Sequence, residues 1–250
     1  MVFGHGLLGD IEQLDTYLTG LDPLLVRLRL LAYDARGHGR SGGPESADGY
    51  SWESLGRDMG DLIRFAGEER AVVGGVSMGA AAAIWLAVEQ PEQVRGLVAM
   101  MPPPLGFTSM RTPGEQRAIT ALDFLASAVE NYGIETGIKV VKSVPGFGVD
   151  AADAEQRAAW LRRQNPLTLK YAIRGLIAAP PHDPECYRRI HAPTLVFAHE
   201  GDDLHPLRAA KLLADHVEGS RLLVGPSSDY WMTHKNAVLA ELEAFLGQVV

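Results

Sequence analysis

Cysteine is almost missing from this chain. Cys186 is the single one in 250 residues, which excludes an internal disulfide framework and fits a reducing compartment. Basic charge is also short: 23 Lys and Arg face 31 Asp and Glu, for a net charge of -8. A nucleic-acid partner would need clustered Lys and Arg, so none is expected. No uncharged apolar run approaches the ~20 residues of a membrane helix, and no membrane partner is expected either. The opening MVFGHGLLGD has neither a basic n-region nor a long apolar h-region, so it does not read as a secretory signal. A cytoplasmic protein is the simplest expectation. Apolar residues at 46% and charged residues at 22% are ordinary for a globular chain. Its length suits one large domain, or a core carrying an inserted subdomain.

What is present alternates. Short β-branched runs exchange with amphipathic stretches, the pattern of a mostly parallel sheet covered by helices. Val2-Phe3, Arg29–Tyr33, Ala71–Gly74, Gly96–Met100, Thr194–Ala198 and Arg221–Val224 read as strands. Helices are predicted over 10–20, 51–66, 78–90, 206–217 and 236–247. Between Pro102 and about Pro184 the alternation stops, and only helices are predicted: 114–130, 134–142, 151–163 and 166–178. Asn165-Pro166 supplies an N-cap and first turn for the last of them. The expected fold class is therefore α/β, with core segments 1–104 and 185–250 and a helical insertion over 105–184.

The first forty residues allow two readings. Gly4-His5-Gly6-Leu7-Leu8-Gly9 is literally G-x-G-x-x-G, and Asp34 ends the next strand where a dinucleotide fold wants its ribose-binding acid. Gly37-His38-Gly39-Arg40-Ser41-Gly42 matches the same pattern again, which shows how little the pattern specifies. A dinucleotide-dependent oxidoreductase explains nothing downstream of this segment, and it stands as the rival reading.

Gly75-Val76-Ser77-Met78-Gly79 is more specific. It follows a strand and precedes an Ala-rich helix, the context of a nucleophile elbow. A serine hydroxyl is a poor nucleophile and needs exposure, a base and donors for a developing oxyanion. A serine that merely capped the helix would need neither Gly75 nor Gly79.

With these motifs the chain resembles the α/β-hydrolase superfamily, in its serine branch with a helical cap. The resemblance implies several roles. His5-Gly6-Leu7-Leu8-Gly9 is similar to the family's His-Gly loop, which assigns the Leu7 and Met78 amides as oxyanion donors. Tyr33–Ser41 is similar to the loop after the next strand, where His38 and Arg40 read as bracing. His199-Glu200-Gly201-Asp202-Asp203-Leu204-His205-Pro206 resembles the turn carrying the triad acid, which favours Asp202 and leaves Asp203 as fallback.

The base is where the pattern breaks. Aligned backwards from the final helix, the family's histidine position holds Asp229. A carboxylate, with a reference pKa of ~4 against ~6.5 for histidine, is a weak base at neutral pH and cannot readily return a proton to a leaving group. His234 is the alternative base if its loop brings it to Ser77; otherwise it caps the final helix. His205 reads as part of the acid turn and His216 as the end of a surface helix. No metal is expected, because nothing aligns His199 with His205, and no cofactor is implied.

The insertion falls where the family places its cap. Its Leu122, Phe124, Leu125, Trp160, Leu167, Tyr171, Ile173 and Leu176 divide between packing and pocket. An apolar cap suggests a small-molecule substrate, a largely hydrophobic ester, lactone or related carbonyl. Ser77 argues against the superfamily's epoxide hydrolases and dehalogenases, which place a carboxylate at the elbow. Ser-Met there resembles carboxylesterases, enol-lactonases, perhydrolases and carbon–carbon bond hydrolases alike. Asp229 motivates an alternative, a catalytically silent homologue. The family's usual leading hairpin does not precede the first strand, so a bare sheet edge and a homodimer formed through it are also expectations.

Overall fold

The structure is a computed structural model and describes residues 1–18, 20, 28–143, 151–179, 182–227 and 229–249. Among the described residues six strands form one sheet: β1 (Val2–Gly4), β2 (Leu31–Tyr33), β3 (Ala71–Val76), β4 (Val94–Met100), β5 (Thr194–His199) and β6 (Arg221–Gly225). Their order is β2-β1-β3-β4-β5-β6, and every pairing is parallel. The helices are α1 (Asp15–Leu18), α2 (Trp52–Phe65), α3 (Met78–Glu89), α4 (Pro113–Tyr132), α5 (Ile134–Ser143), α6 (Ala151–Arg162), α7 (Pro166–Ala178), α8 (Leu207–His216), α9 (Tyr230–Thr233) and α10 (Lys235–Val249).

The central strands are near-continuous apolar runs because helices cover both faces of the sheet. Successive residues point to opposite sides. Val73, Leu97, Ala99 and Val196 pack under α2, α3 and α8. Val72, Val98, Leu195 and Phe197 pack against α1, α9 and α10. A third cluster joins Leu8 to α4, α5, α6 and α7 through Leu122, Leu125, Ile138, Leu161 and Ile173. These four helices lie between β4 and β5, where the sequence predicts helices only.

The insertion is fastened to the core by polar contacts at loops. Arg163 grips the buried Asp10 carboxylate with both arms, at 2.5 and 2.8 Å. Thr168 Oγ1 donates to Gly37 O at 2.8 Å, and Gly39 N–H donates to Gln164 Oε1 at 3.1 Å. Asn165 caps α7 as expected, its side chain accepting from Leu167 N–H, with Pro166 in the first turn. Thr112 and Glu115 form a capping box on α4.

Some boundaries differ from the sequence reading. The expected helix over 10–20 opens as a 3₁₀ turn, Ile11–Leu14, because the Asp10 carboxylate accepts from Glu12 N–H and holds the first turn tight. Residue 19 of that helix, and 144–150 and 180–181 of the insertion, lie outside the described residues. A short helix, α9, precedes the final one and was not expected. It forms because the indole of Trp231 donates to Ala198 O at 2.6 Å and anchors the segment under β5.

Gly4, Gly75 and Gly79 meet at the centre of the fold. A Cβ on Gly79 would lie 2.3 Å from Gly4 O, and one on Gly75 would lie 2.4 Å from the Gly79 carbonyl carbon. Backbone cannot yield as a side-chain tip can, so Gly79→Ala is expected to cost roughly 1–3 kcal/mol or more. Urea denaturation checks this; a midpoint equal to the parent's would refute the contact.

Candidate active site

Ser77 joins β3 to α3 with φ 52° and ψ -107°. Such a left-handed backbone in a non-glycine residue costs on the order of 1–3 kcal/mol and persists only where its surroundings impose it. Here Ser77 N–H donates to Met100 O at 2.9 Å, and Ser77 O accepts from Ala81 N–H at 2.9 Å. The flanking glycines are needed for a different reason from turning. Neither has a positive φ; they make room where β1, β3 and α3 touch.

The imidazole beside Ser77 belongs to His205. Its Nε2 lies 2.9 Å from Ser77 Oγ, and its Nδ1 lies 2.7 Å from Asp202 Oδ2. A carboxylate only accepts, so Nδ1 carries the proton and Nε2 is left to accept from the serine hydroxyl. Local sequence explains the fold-back. Asp202 Oδ1 accepts from Leu204 N–H at 2.7 Å and from His205 N–H at 3.2 Å, closing a turn on its own side chain. Gly201 enters that turn at φ 78°, and Pro206 biases His205 to extended backbone. Burial would raise the Asp202 pKa, but the charge and hydrogen bond of His205, with His199 and the Leu204 amide, hold it well below the usual carboxylate range. Asp203, the fallback acid, turns away towards Gly114 and Arg117.

Neither residue proposed from the sequence as base reaches Ser77. Asp229 accepts from Ser227 Oγ at 2.6 Å, a bond that lowers its pKa, and does not line the cavity around Ser77. His234 is exposed, stacks on Tyr230 at 4.1 Å between centroids, and closes α9 through its N–H to Tyr230 O. The reading of His205 as a mere member of the acid turn is corrected in the same way. An aspartate and a histidine three apart, between a glycine and a proline, were the available signal.

The expected oxyanion donors both line the cavity with Ser77. Met78 opens α3, where the first N–H groups have no intrahelical acceptor. The Leu7 amide is oriented through the other end of its peptide. Gly6 O receives His5 Nδ1–H at 2.8 Å and Gly9 N–H at 2.9 Å, and in a trans peptide the N–H points opposite to the carbonyl. His5 is neutral there: Nε2 accepts from Ala35 N–H at 2.9 Å, and burial beside His38 lowers its pKa to about 4. His38 braces the same loop, its ring nitrogens 2.7 Å from Leu7 O and 2.9 Å from Arg36 O. Arg40 pairs with Asp34 at 3.5 Å. The Asp34 carboxylate also accepts from the Ile11 and Arg40 amides, so it is occupied as a loop brace and not presented to a ribose.

Of the cap side chains named from sequence, Leu122, Trp160 and Leu176 line the cavity. Leu125 and Ile173 are buried in the insertion's own packing, and Phe124 and Leu167 are exposed. His199 is a residue that the sequence reading did not place in the site. It is buried, lines the cavity, and sets Nε2 3.7 Å from Asp202 Oδ2. Burial first, and then the His205 charge, lower its pKa. The turn thus gathers His199 and His205 round Asp202 despite their spacing, and ligand atoms of the three lie within 4.8 Å of one another. His205 and Asp202 already share a hydrogen bond through two of those atoms.

A family model for the alpha/beta hydrolase fold matches residues 1–229. The chain belongs to that family. Mouse sn-1-specific diacylglycerol lipase is 35% identical over 108 residues, 43% of this chain, and the match spans only 34% of the lipase's length. The 2-hydroxy-6-oxo-6-(2'-aminophenyl)hexa-2,4-dienoic acid hydrolase of Metapseudomonas resinovorans is 27% identical over 223 residues, covering 84% of this chain and 70% of that enzyme. The crystal structure of a hydrolase from Pseudomonas aeruginosa PA01 superposes with a TM-score of 0.77 at 25% identity, over 98% of this chain and 89% of the other. No helix among the described residues is long and apolar enough to cross a membrane.

Burial lowers the pKa of His5, His38, His182 and His199. The folded chain then binds fewer protons than the unfolded one below the ordinary histidine range, so stability falls as pH drops. For His5 the window runs from about 6.5 down to about 4, a loss on the order of 2 kcal/mol by pH ~4.5. Urea midpoints measured from neutral pH to that point should fall steadily. A flat profile would contradict a neutral, buried His5.

Proposed function

We propose that this chain is a serine hydrolase acting on a small, largely apolar ester, lactone or related carbonyl, with Ser77, His205 and Asp202 as its catalytic triad. The observation that carries the reading is the unbroken line from Ser77 Oγ through the His205 ring to Asp202, at 2.9 and 2.7 Å. The chain order Ser, acid, His is that of the α/β-hydrolases. Residues 105–184 act as the cap that walls the cavity.

In this mechanism His205 Nε2 takes the Ser77 proton as Oγ attacks the substrate carbonyl carbon. The tetrahedral oxyanion is held by the Leu7 and Met78 amides. Asp202 stabilises the imidazolium and fixes its tautomer. Collapse of the intermediate breaks the bond to the leaving group, which receives the proton from Nε2. Water then repeats the sequence on the acyl-enzyme: His205 takes a water proton, hydroxide adds, and Ser77 leaves as the alcohol. Asp229 has no part in it, which distinguishes this reading from a silent homologue that has lost its base.

Intact-mass labelling by a small fluorophosphonate tests the assignment. Rapid single labelling is expected for the parent chain and for Asp229→Ala and His234→Ala. Ser77→Ala should take no label, and His205→Ala should label and turn over at least ~10³-fold more slowly. Normal labelling of His205→Ala, with loss in His234→Ala, would overturn the choice of base. A chelator should leave turnover unchanged, whereas its loss on chelation would point to a metal on His199, Asp202 and His205.

A further inference from the structure

The cavity at Ser77 is walled mainly by apolar groups, yet two arginines line it: Arg111, just before the N-cap of α4, and Arg157 on α6. Among the described residues neither side chain has an ion-pair or hydrogen-bond partner. The nearest carboxylate in sequence to Arg111 is Glu115, and it is already occupied. Its Oε1 accepts from Arg208 Nε at 2.9 Å and its Oε2 from Arg208 Nη2 at 2.6 Å, with the Thr112 amide also on Oε2. The cavity's own carboxylate, Asp202, is committed to His205 and to two backbone amides.

Both arginines are only partly exposed. Burial lowers the Arg111 pKa; Glu115 opposes this and Arg208 adds to it. Arginine stays charged under such perturbation. A cation drawn out of water against apolar groups loses solvation and gains nothing unless an anion meets it. The chain as a whole carries a charge of -8, so two arginines on the wall of one cavity stand against the sign of the molecule's overall field.

We propose that Arg111 and Arg157 form an anion subsite and that the preferred substrate carries a carboxylate in addition to the carbonyl attacked by Ser77. A planar carboxylate matches the two-pronged guanidinium donor geometry, and the apolar wall between the subsite and Ser77 takes the connecting hydrocarbon. The substrate is thus a hemiester or a lactone acid, not a neutral lipid. This inference rests on the hydrolase reading for the reaction, but the subsite binds independently of turnover.

The test compares para-nitrophenyl hemiglutarate with its methyl ester, which differs only in covering the carboxylate. The ratio of kcat/KM for the acid over the methyl ester is measured in the parent, Arg111→Gln, Arg157→Gln and the two Lys variants. The parent ratio should exceed about tenfold, and each Gln variant should lose about tenfold to a hundredfold of it, mainly through KM, with partial rescue by Lys. Melting temperatures of the Gln variants should hold or rise, since an uncompensated charge is removed; a structural role would lower them. Equal parent rates on the two esters, or an unchanged ratio in both Gln variants, would overturn the subsite. If neither ester turns over, the hydrolase reading fails, and calorimetry with glutarate on Ser77→Ala decides the subsite alone. Binding that vanishes on adding either Gln substitution supports it, and absence of binding overturns it.

Discussion

The close approach of Gly4, Gly75 and Gly79 is the contact from which the site is built. Strands β1 and β3 and the start of α3 come together where any Cβ would strike backbone. This contact sets the angle at which the chain leaves β3. It leaves Ser77, a residue with a side chain, to take the left-handed backbone at the crest of the turn. It also brings the loop after β1 beside the first turn of α3, so Leu7 and Met78 line one cavity with Ser77. Strain, access and donor placement thus have a common steric origin, and the loss of one glycine would disturb all three.

A second constraint acts from the insertion. Its helices bury their own apolar faces, but they meet the core through directed polar contacts: Arg163 with Asp10, Thr168 with Gly37 and Arg208 with Glu115. Apolar packing alone tolerates sliding, whereas a bidentate guanidinium–carboxylate pair fixes orientation. The Arg208–Glu115 pair ties α8, which follows the Asp202 turn, to α4, which walls the cavity. It also occupies both Glu115 oxygens, so among the described residues Arg111 makes no ion pair with that carboxylate.

Much of the fold was legible because its signals are local. Parallel strands covered on both faces read as apolar runs, and helices showed themselves by capping pairs such as Asn165-Pro166. Boundaries slipped where a side chain competed with backbone bonding. Asp10 tightened the first turn of the expected helix over 10–20, and Trp231 drew an extra turn, α9, out of the loop after β6.

The sequence by itself determined the α/β alternation, the Ser77 elbow, the Asp202 turn and the His-Gly loop. Each is a short stretch whose backbone demands are written in neighbouring residues. Tertiary structure alone decided which imidazole stands beside Ser77. The Ser77–His205 contact spans 128 positions, and no local spacing encodes it. The family's usual histidine position, after the last strand, directed attention to 229 and 234, whereas an aspartate turn closed on its own carboxylate and carried His205 beside the serine instead. The same holds for Arg111 and Arg157: that both line the cavity of Ser77 is a product of the fold and not of their spacing in the chain.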